Sequence, residues 1–220
     1  MITQIYEIST ESECDACLAA GVDHIGVLVG DGTFPRELSP RAARGLLQGL
    51  PPGAKGCALS LSADGDLIDH IIDMVQPDIL HLGAAHEELP LEQLRAIRAR
   101  HPALVLMRSI PVTGDDAITL ALACDDVVDF LLLDSHADGD KQIGALGITH
   151  DWSISRRLVE AVTTPCILAG GLGPDNVADA IAAVRPAGVD SKTRTDMGDS
   201  HEKDPDKVRA FVQNSMSAAG

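Results

Sequence analysis

Aromatic residues are almost missing from this chain: one Trp, one Tyr and three Phe amount to 2% of 220 residues. Such a composition offers no stacking platform for nucleic-acid bases, and the core has to be built from Ala, Leu, Val and Ile. Cations are scarce as well. Seventeen Lys plus Arg face 33 Asp plus Glu, a formal charge of −16, which repels phosphodiester backbones and anionic membranes and favours solubility. Nucleic acid and membrane are therefore not expected partners. Acidity of this size is also what a salt-adapted proteome shows, and composition alone does not separate the two. No stretch of about 18 uninterrupted apolar residues occurs, and Met1 to Ser9 lacks the basic segment and apolar run of an export signal. The cytoplasm is the expected location. Cysteine number is odd, at five. Cys57 and Cys166 lie in apolar runs as small buried thiols, and Cys14-x-x-Cys17 has no second pair to complete a zinc set.

What is present is a regular alternation of strand-like and helical patterns with no linker between them, which fits one domain over residues 1–220. Strands are expected at Gln4 to Ser9, His24 to Val29, Gly56 to Leu61, Asp78 to Leu82, Leu104 to Ile110, Val128 to Asp134, Cys166 to Ala169 and Gly188 to Asp190. Three- and four-residue apolar spacing marks helices at Pro40 to Leu50, Leu67 to Val75, Leu91 to Arg100, Asp115 to Cys124, Ser153 to Val162, Pro174 to Val184 and Asp204 to Ser217. Pro40, Pro174 and Pro205 fall in first turns, where a missing N–H does no harm. A doubly wound sheet would carry G-x-G-x-x-G after its first strand, and none is there; the fold expected is a (β/α)₈ TIM barrel. The longest stretch without an expected element, Ser135 to His150, follows Asp134 directly, and loops of that length in a compact domain are usually functional or mobile.

In such a barrel the chemistry stands at the C-terminal ends of the strands. The run Phe130-Leu131-Leu132-Leu133 is wholly apolar and stops on Asp134, so that carboxylate emerges where a strand buried on both faces leaves the core. The other polar groups at strand ends are Tyr6, Glu7, Asp31, Ser60, His81, Arg108, Lys192, Thr193 and Arg194. Gly170 and Gly171 open a turn into a helix, where amides and the helix start favour an anion, and loops after strands seven and eight often hold phosphate. Lys192 and Arg194 add two cations beside that turn, and Arg binds oxyanions through two parallel donors.

The chain resembles the phosphoribosylanthranilate isomerase family, (β/α)₈ enzymes of tryptophan biosynthesis that convert an aminoaldose to an aminoketose on a phosphorylated ribose. The resemblance is carried by LLLDS at 131–135, GALG at 144–147, Asp151-Trp152, ILAGGLGPDNVADAIAAVRPAGVD at 167–190, and Lys203-Asp204-Pro205. In the N-terminal half, Phe34-Pro35-Arg36 before Leu38-Ser39-Pro40 is similar to the family's loop after strand two. The resemblance implies that Asp134 is the general acid protonating the ribose ring oxygen, that Arg36 contacts the anthranilate part, that Gly144 and Gly147 belong to the substrate site, and that no cofactor is used.

Three positions depart from the family. Where its first strand carries a cysteine acting as general base, this chain has Gln4-Ile5-Tyr6-Glu7; strand four reads Leu80-His81-Leu82-Gly83, with His81 at about the family's glutamine; and the serine-serine-glycine turn after strand eight is Lys192-Thr193-Arg194, with Asp196 near the family's glutamate. Strand alternation points Tyr6 inward and Glu7 outward. A phenol is a poor base near neutral pH and an imidazole needs little tuning, which makes His81 the expected base. Three readings follow. One is an isomerase of this family acting by acid–base chemistry on a phosphorylated sugar. The second is a metal-assisted epimerase or lyase with His81, Asp134 and Glu7 around a divalent cation. The third is a barrel that binds a phosphometabolite without turnover. A homodimer stays open as the assembly.

Overall fold

The computed structural model describes residues 1–135 and 149–219. In chain order these form β1 (Ile2–Ile5), α1 (Glu11–Ala20), β2 (His24–Leu28), α2 (Pro40–Leu47), β3 (Lys55–Ser60), α3 (Gly65–Val75), β4 (Ile79–Leu82) and α4 (Leu91–Arg100). The second half continues with β5 (Val105–Pro111), α5 (Asp116–Cys124), β6 (Phe130–Asp134), α6 (Trp152–Ala161), β7 (Cys166–Leu168), α7 (Val177–Val184), β8 (Gly188–Ser191) and α8 (Pro205–Ala219). Each strand pairs in parallel with the next, and β8 pairs back onto β1 through Ile2–Gly188 to Ile5–Ser191, closing an eight-stranded barrel. This is the (β/α)₈ fold expected from the alternation of patterns.

Side chains sort by the period-2 alternation of a strand. Tyr6, Cys57, Ile79, Met107, Leu132, Ile167 and Ala169 pack together in the barrel interior. Their neighbours in sequence, such as Ile5, Ala58, Leu80, Leu106, Leu131, Leu133 and Leu168, form the larger layer against helix residues such as Ile68, Leu94, Leu158, Ile181 and Phe211. Burying the strands on both faces explains why they read as continuous apolar runs.

Two local differences from the sequence pattern have plain causes. Helix α1 shows no apolar periodicity because its buried face is Glu13, Cys14 and Cys17. It forms through its ends: Thr10 Oγ1 accepts from Glu13 N at 3.2 Å, Glu13 Oε2 accepts from Thr10 N at 3.1 Å, and Gly21 closes it at φ 85°. The cysteine pair is part of this face; all five thiols are free and buried, and burial pushes Cys17 up to about 12, leaving it an inert core residue. The second difference is that β1 ends at Ile5, and Glu7 takes φ 60°. Past that point strand alternation no longer applies. Among the described residues no helix is long and apolar enough to cross a membrane.

Candidate active site

Strand polarity places the C-terminal ends of all eight strands on one face, and a cavity of about 220 Å³ opens there. One wall is apolar, made by Leu28, Phe34, Pro35, Leu59 and Leu61; the floor and the opposite wall carry Tyr6, His81, Ser109, Asp134 and Asp190. A smaller cavity of about 30 Å³ adjoins it, lined by Asp134, Gly170, Gly171, Asp190, Lys192, Thr193 and Arg194.

Asp134 is the last residue of β6 and is only 9% exposed. Its Oδ1 accepts from Ser135 N at 2.7 Å and from Ser135 Oγ at 3.3 Å. Burial pushes its carboxyl up to about 6, outweighing both Ser135 donors, which act in the opposite direction. Asp190 faces it from β8, and Gln4 Nε2 donates to Asp190 Oδ1 at 3.2 Å. His24 Nδ1 in turn donates to Gln4 Oε1 at 3.0 Å, which fixes the amide. Burial first, then the charge of Asp134, push Asp190 up to about 8. Sequence reasoning passed over Asp190, although the criterion that found Asp134, a carboxylate ending an apolar strand, applies to Gly188-Val189-Asp190 as well.

Tyr6 points inward as alternation requires, over the backbone of β2. Only glycine fits beneath it: a Cβ at Gly26 would lie 2.3 Å from Tyr6 Cδ1. The Tyr6 hydroxyl is 2.7 Å from His81 Nδ1, and Ser109 Oγ is 2.7 Å from His81 Nε2. A neutral imidazole donates through one nitrogen and accepts through the other, so one hydroxyl gives a proton to this bridge and the other takes one. Burial, with the charge of Arg108, pushes His81 down to about 3, and burial raises Tyr6 well above the usual phenol range. Neither group is a ready base near neutral pH. Cys57 lies below Tyr6 in the barrel interior and its thiol is also raised by burial, so it does not replace a first-strand cysteine.

Five expected site residues stand differently from the sequence reading. Glu7 does not point away: its positive φ swings the carboxylate over the cavity rim, where Lys192 Nζ lies 3.1 Å from it. Arg36, also at φ 60°, does not line the cavity; its Nη2 donates to Glu13 Oε1 at 2.6 Å and to the Glu7 carbonyl at 2.9 Å. Arg108 alternates with the inward Met107 and Ser109, so it faces outward, 2% exposed, and donates to the carbonyls of Leu82 at 3.1 Å and Leu89 at 3.3 Å. It ties the loop after β4 to β5 instead of reaching a ligand. Arg194 and Lys192 are not a free cationic pair, because acidic neighbours claim both. Arg194 Nη2 bonds Asp175 Oδ2 at 2.6 Å, and Lys192 is also 3.2 Å from Asp196, which pairs with Lys203.

The turn after β7 keeps the geometry expected of it. Gly170 and Gly171 have φ of 81° and 61°, conformations that L side chains rarely adopt. The amides of Gly171, Leu172 and Thr193 have no acceptor among the described residues. Asp31 and Ser60 are outside the cavity lining. Gly144 and Gly147 lie outside the described residues. Among the described residues no group of three or more His, Cys, Asp and Glu side chains is placed to hold a metal ion, so the cluster of His81, Asp134 and Glu7 envisaged above does not form there.

A closed (β/α)₈ barrel with two buried carboxyls facing one cavity and, among the described residues, amides without acceptors lining the next has the layout of an acid–base barrel for a phosphorylated sugar. The chain belongs to the N-(5'-phosphoribosyl)anthranilate (PRA) isomerase family, whose model matches residues 6–214. It is 37% identical to the N-(5'-phosphoribosyl)anthranilate isomerase of Haloferax volcanii over 97% of this chain and 92% of that protein. The fold superposes on the phosphoribosyl anthranilate isomerase of Thermotoga maritima with a TM-score of 0.83 at 24% identity, covering 99% of this chain and 100% of that one. A phosphoribosyl anthranilate isomerase in complex with reduced 1-(o-carboxyphenylamino)-1-deoxyribulose 5-phosphate superposes at TM-score 0.81 and 23% identity, covering 99% and 100%.

Proposed function

We propose that this protein isomerises N-(5'-phosphoribosyl)anthranilate, opening its ribose ring and converting the aminoaldose to the aminoketose. The observation that carries this reading is Asp134, a carboxyl raised by burial into the range of a general acid, standing between an apolar pocket and an amide-lined cavity. The substrate has the same three parts. Its aromatic ring fits the wall of Leu28, Phe34 and Leu59; its ribose spans Asp134 and Asp190; its phosphate fits the amides of Gly171, Leu172 and Thr193. Lys192 stands at the edge of both cavities and adds charge to the phosphate, while Arg194, held by Asp175, contributes less. The Tyr6–His81–Ser109 bridge supplies hydroxyls that position the sugar. In this reading Asp134 protonates the ring oxygen as the bond from that oxygen to C1 breaks.

The test is genetic and direct. A tryptophan auxotroph that lacks only this isomerase should grow without tryptophan when it carries this gene. No growth despite soluble expression would contradict the reading and favour the barrel that binds a phosphometabolite without turnover.

A further inference from the structure

Ring opening accounts for one proton, and the isomerisation moves a second. With no cysteine at the end of β1, the acceptor for the C2 proton has to be another group on the cavity wall. Tyr6 and His81 are engaged with each other and with Ser109. Asp190 is not so engaged: Gln4 occupies one of its oxygens, and the carboxyl lines both cavities together with Asp134.

We propose that Asp190 is the general base of the isomerisation and that it forms, with Asp134, a carboxyl pair holding a single proton. The inference rests on the functional reading above and extends it to a residue outside the first strand. Its basis is geometric: two carboxyls on β6 and β8, both 9% exposed or less, face one small space. The groups around Asp190 do not neutralise it fully. Burial and then the charge of Asp134 on β6 oppose its ionisation, while the Gln4 amide and Lys203, before α8, favour it. The nearby Tyr6 hydroxyl, just past β1, and Cys57 thiol of β3 are neutral groups whose own ionisation Asp190 opposes. Two carboxylates buried in one site cannot both ionise readily, so near neutral pH one proton is shared.

That proton is available at either carboxyl, and the arriving ring oxygen selects the arrangement with it on Asp134. Asp134 gives the proton to the ring oxygen while the C1–O bond breaks, its electron pair staying with oxygen, and the amine nitrogen forms a double bond to C1. Asp190 then takes the C2 proton, and the C2–H electrons form the C1–C2 double bond of an enaminol while the C–N pair returns to nitrogen. In the tautomerisation that follows, C1 gains a proton and the 2-hydroxyl loses one. The pair again holds a single proton, now received from C2, so the cycle closes without an external reagent.

Two measurements test this. First, infrared spectroscopy of the free wild-type protein should show one protonated aspartic carboxyl in the pair at pH 7, lost in Asp190→Asn and titrating at lower pH in Asp134→Asn; finding both carboxyls ionised in the wild type would overturn the proposal whatever the activity. Second, Asp190→Asn, which keeps an oxygen to accept from Gln4, should lower kcat on phosphoribosylanthranilate by about 100-fold or more. It should still be thermally stabilised by reduced 1-(o-carboxyphenylamino)-1-deoxyribulose 5-phosphate. A kcat within about tenfold of wild type would assign the base elsewhere. Absence of wild-type turnover would instead sink the functional reading and the base role with it, while the infrared result still decides whether the two carboxyls share a proton.

Discussion

The two sides of the barrel mouth are built on different backbones. On the β6–β8 side the polar groups sit in regular strand positions, Asp134 as the last residue of β6 and Asp190 within β8, and the glycine turn after β7 presents amides with no acceptor among the described residues. On the β1–β5 side the chain leaves the sheet early: Glu7 and Arg36 both stand at φ 60°, and their charges are matched by Lys192 and Glu13. The inward carboxyls of β6 and β8 face the cavity with no cation in salt-bridge contact among the described residues, whereas the charged residues beyond the ends of β1 and β2 turn onto oppositely charged partners. On this account the reactive groups belong to the β6–β8 side, and the β1–β5 side shapes and orients the substrate.

Substitutions on each side measure that division. Asp134→Asn removes the acid and keeps the shape, so kcat should fall by roughly 10²–10⁴-fold. His81→Asn, on the other side, breaks a bridge between hydroxyls and should lower kcat by no more than about tenfold, with KM carrying the larger part of the loss. Steady-state kinetics of the two variants decide the matter, and an order reversed from this one breaks the comparison. The smaller effects concern the phosphate. Lys192→Ala should raise KM about tenfold or more, in line with roughly 1.5–3 kcal/mol for a hydrogen bond to a charged group. Arg194→Ala should change KM by less than about tenfold, since its charge is half-exposed and already paired with Asp175. Equal effects of the two changes would mean that Arg194 leaves Asp175 to bind the ligand.

The sequence made the eight strands legible because buried parallel strands read as apolar runs, helices α2 to α8 because their apolar residues recur at helical spacing, and Asp134 and the Gly170-Gly171 turn because each follows directly from strand and turn geometry. Tyr6 was placed inward by the same alternation. What lay beyond it needed three dimensions. The φ of Glu7 and Arg36 sits in a region that a sequence of ordinary L residues does not announce, and it redirects both side chains. Arg108 was one residue out of phase with the cavity, on a strand whose inward members are Met107 and Ser109. Lys192 and Arg194 looked like free cations in an acidic chain, yet Glu7, Asp196 and Asp175 come from distant or turned segments to pair with them. Helix α1 carried no periodic signal, since capping and not an apolar stripe defines it.

The most direct test of the central claim, that two carboxyls with one proton between them carry the chemistry, is the pH dependence of kcat/KM for phosphoribosylanthranilate. Below about 6 both Asp134 and Asp190 hold protons and the base is lost; above about 8 both are ionised and the acid is lost. The account predicts a bell with its maximum between those values, losing its acid limb in Asp190→Asn along with most of its height. A profile flat across both values, or an acid limb that persists unchanged in Asp190→Asn, would contradict it.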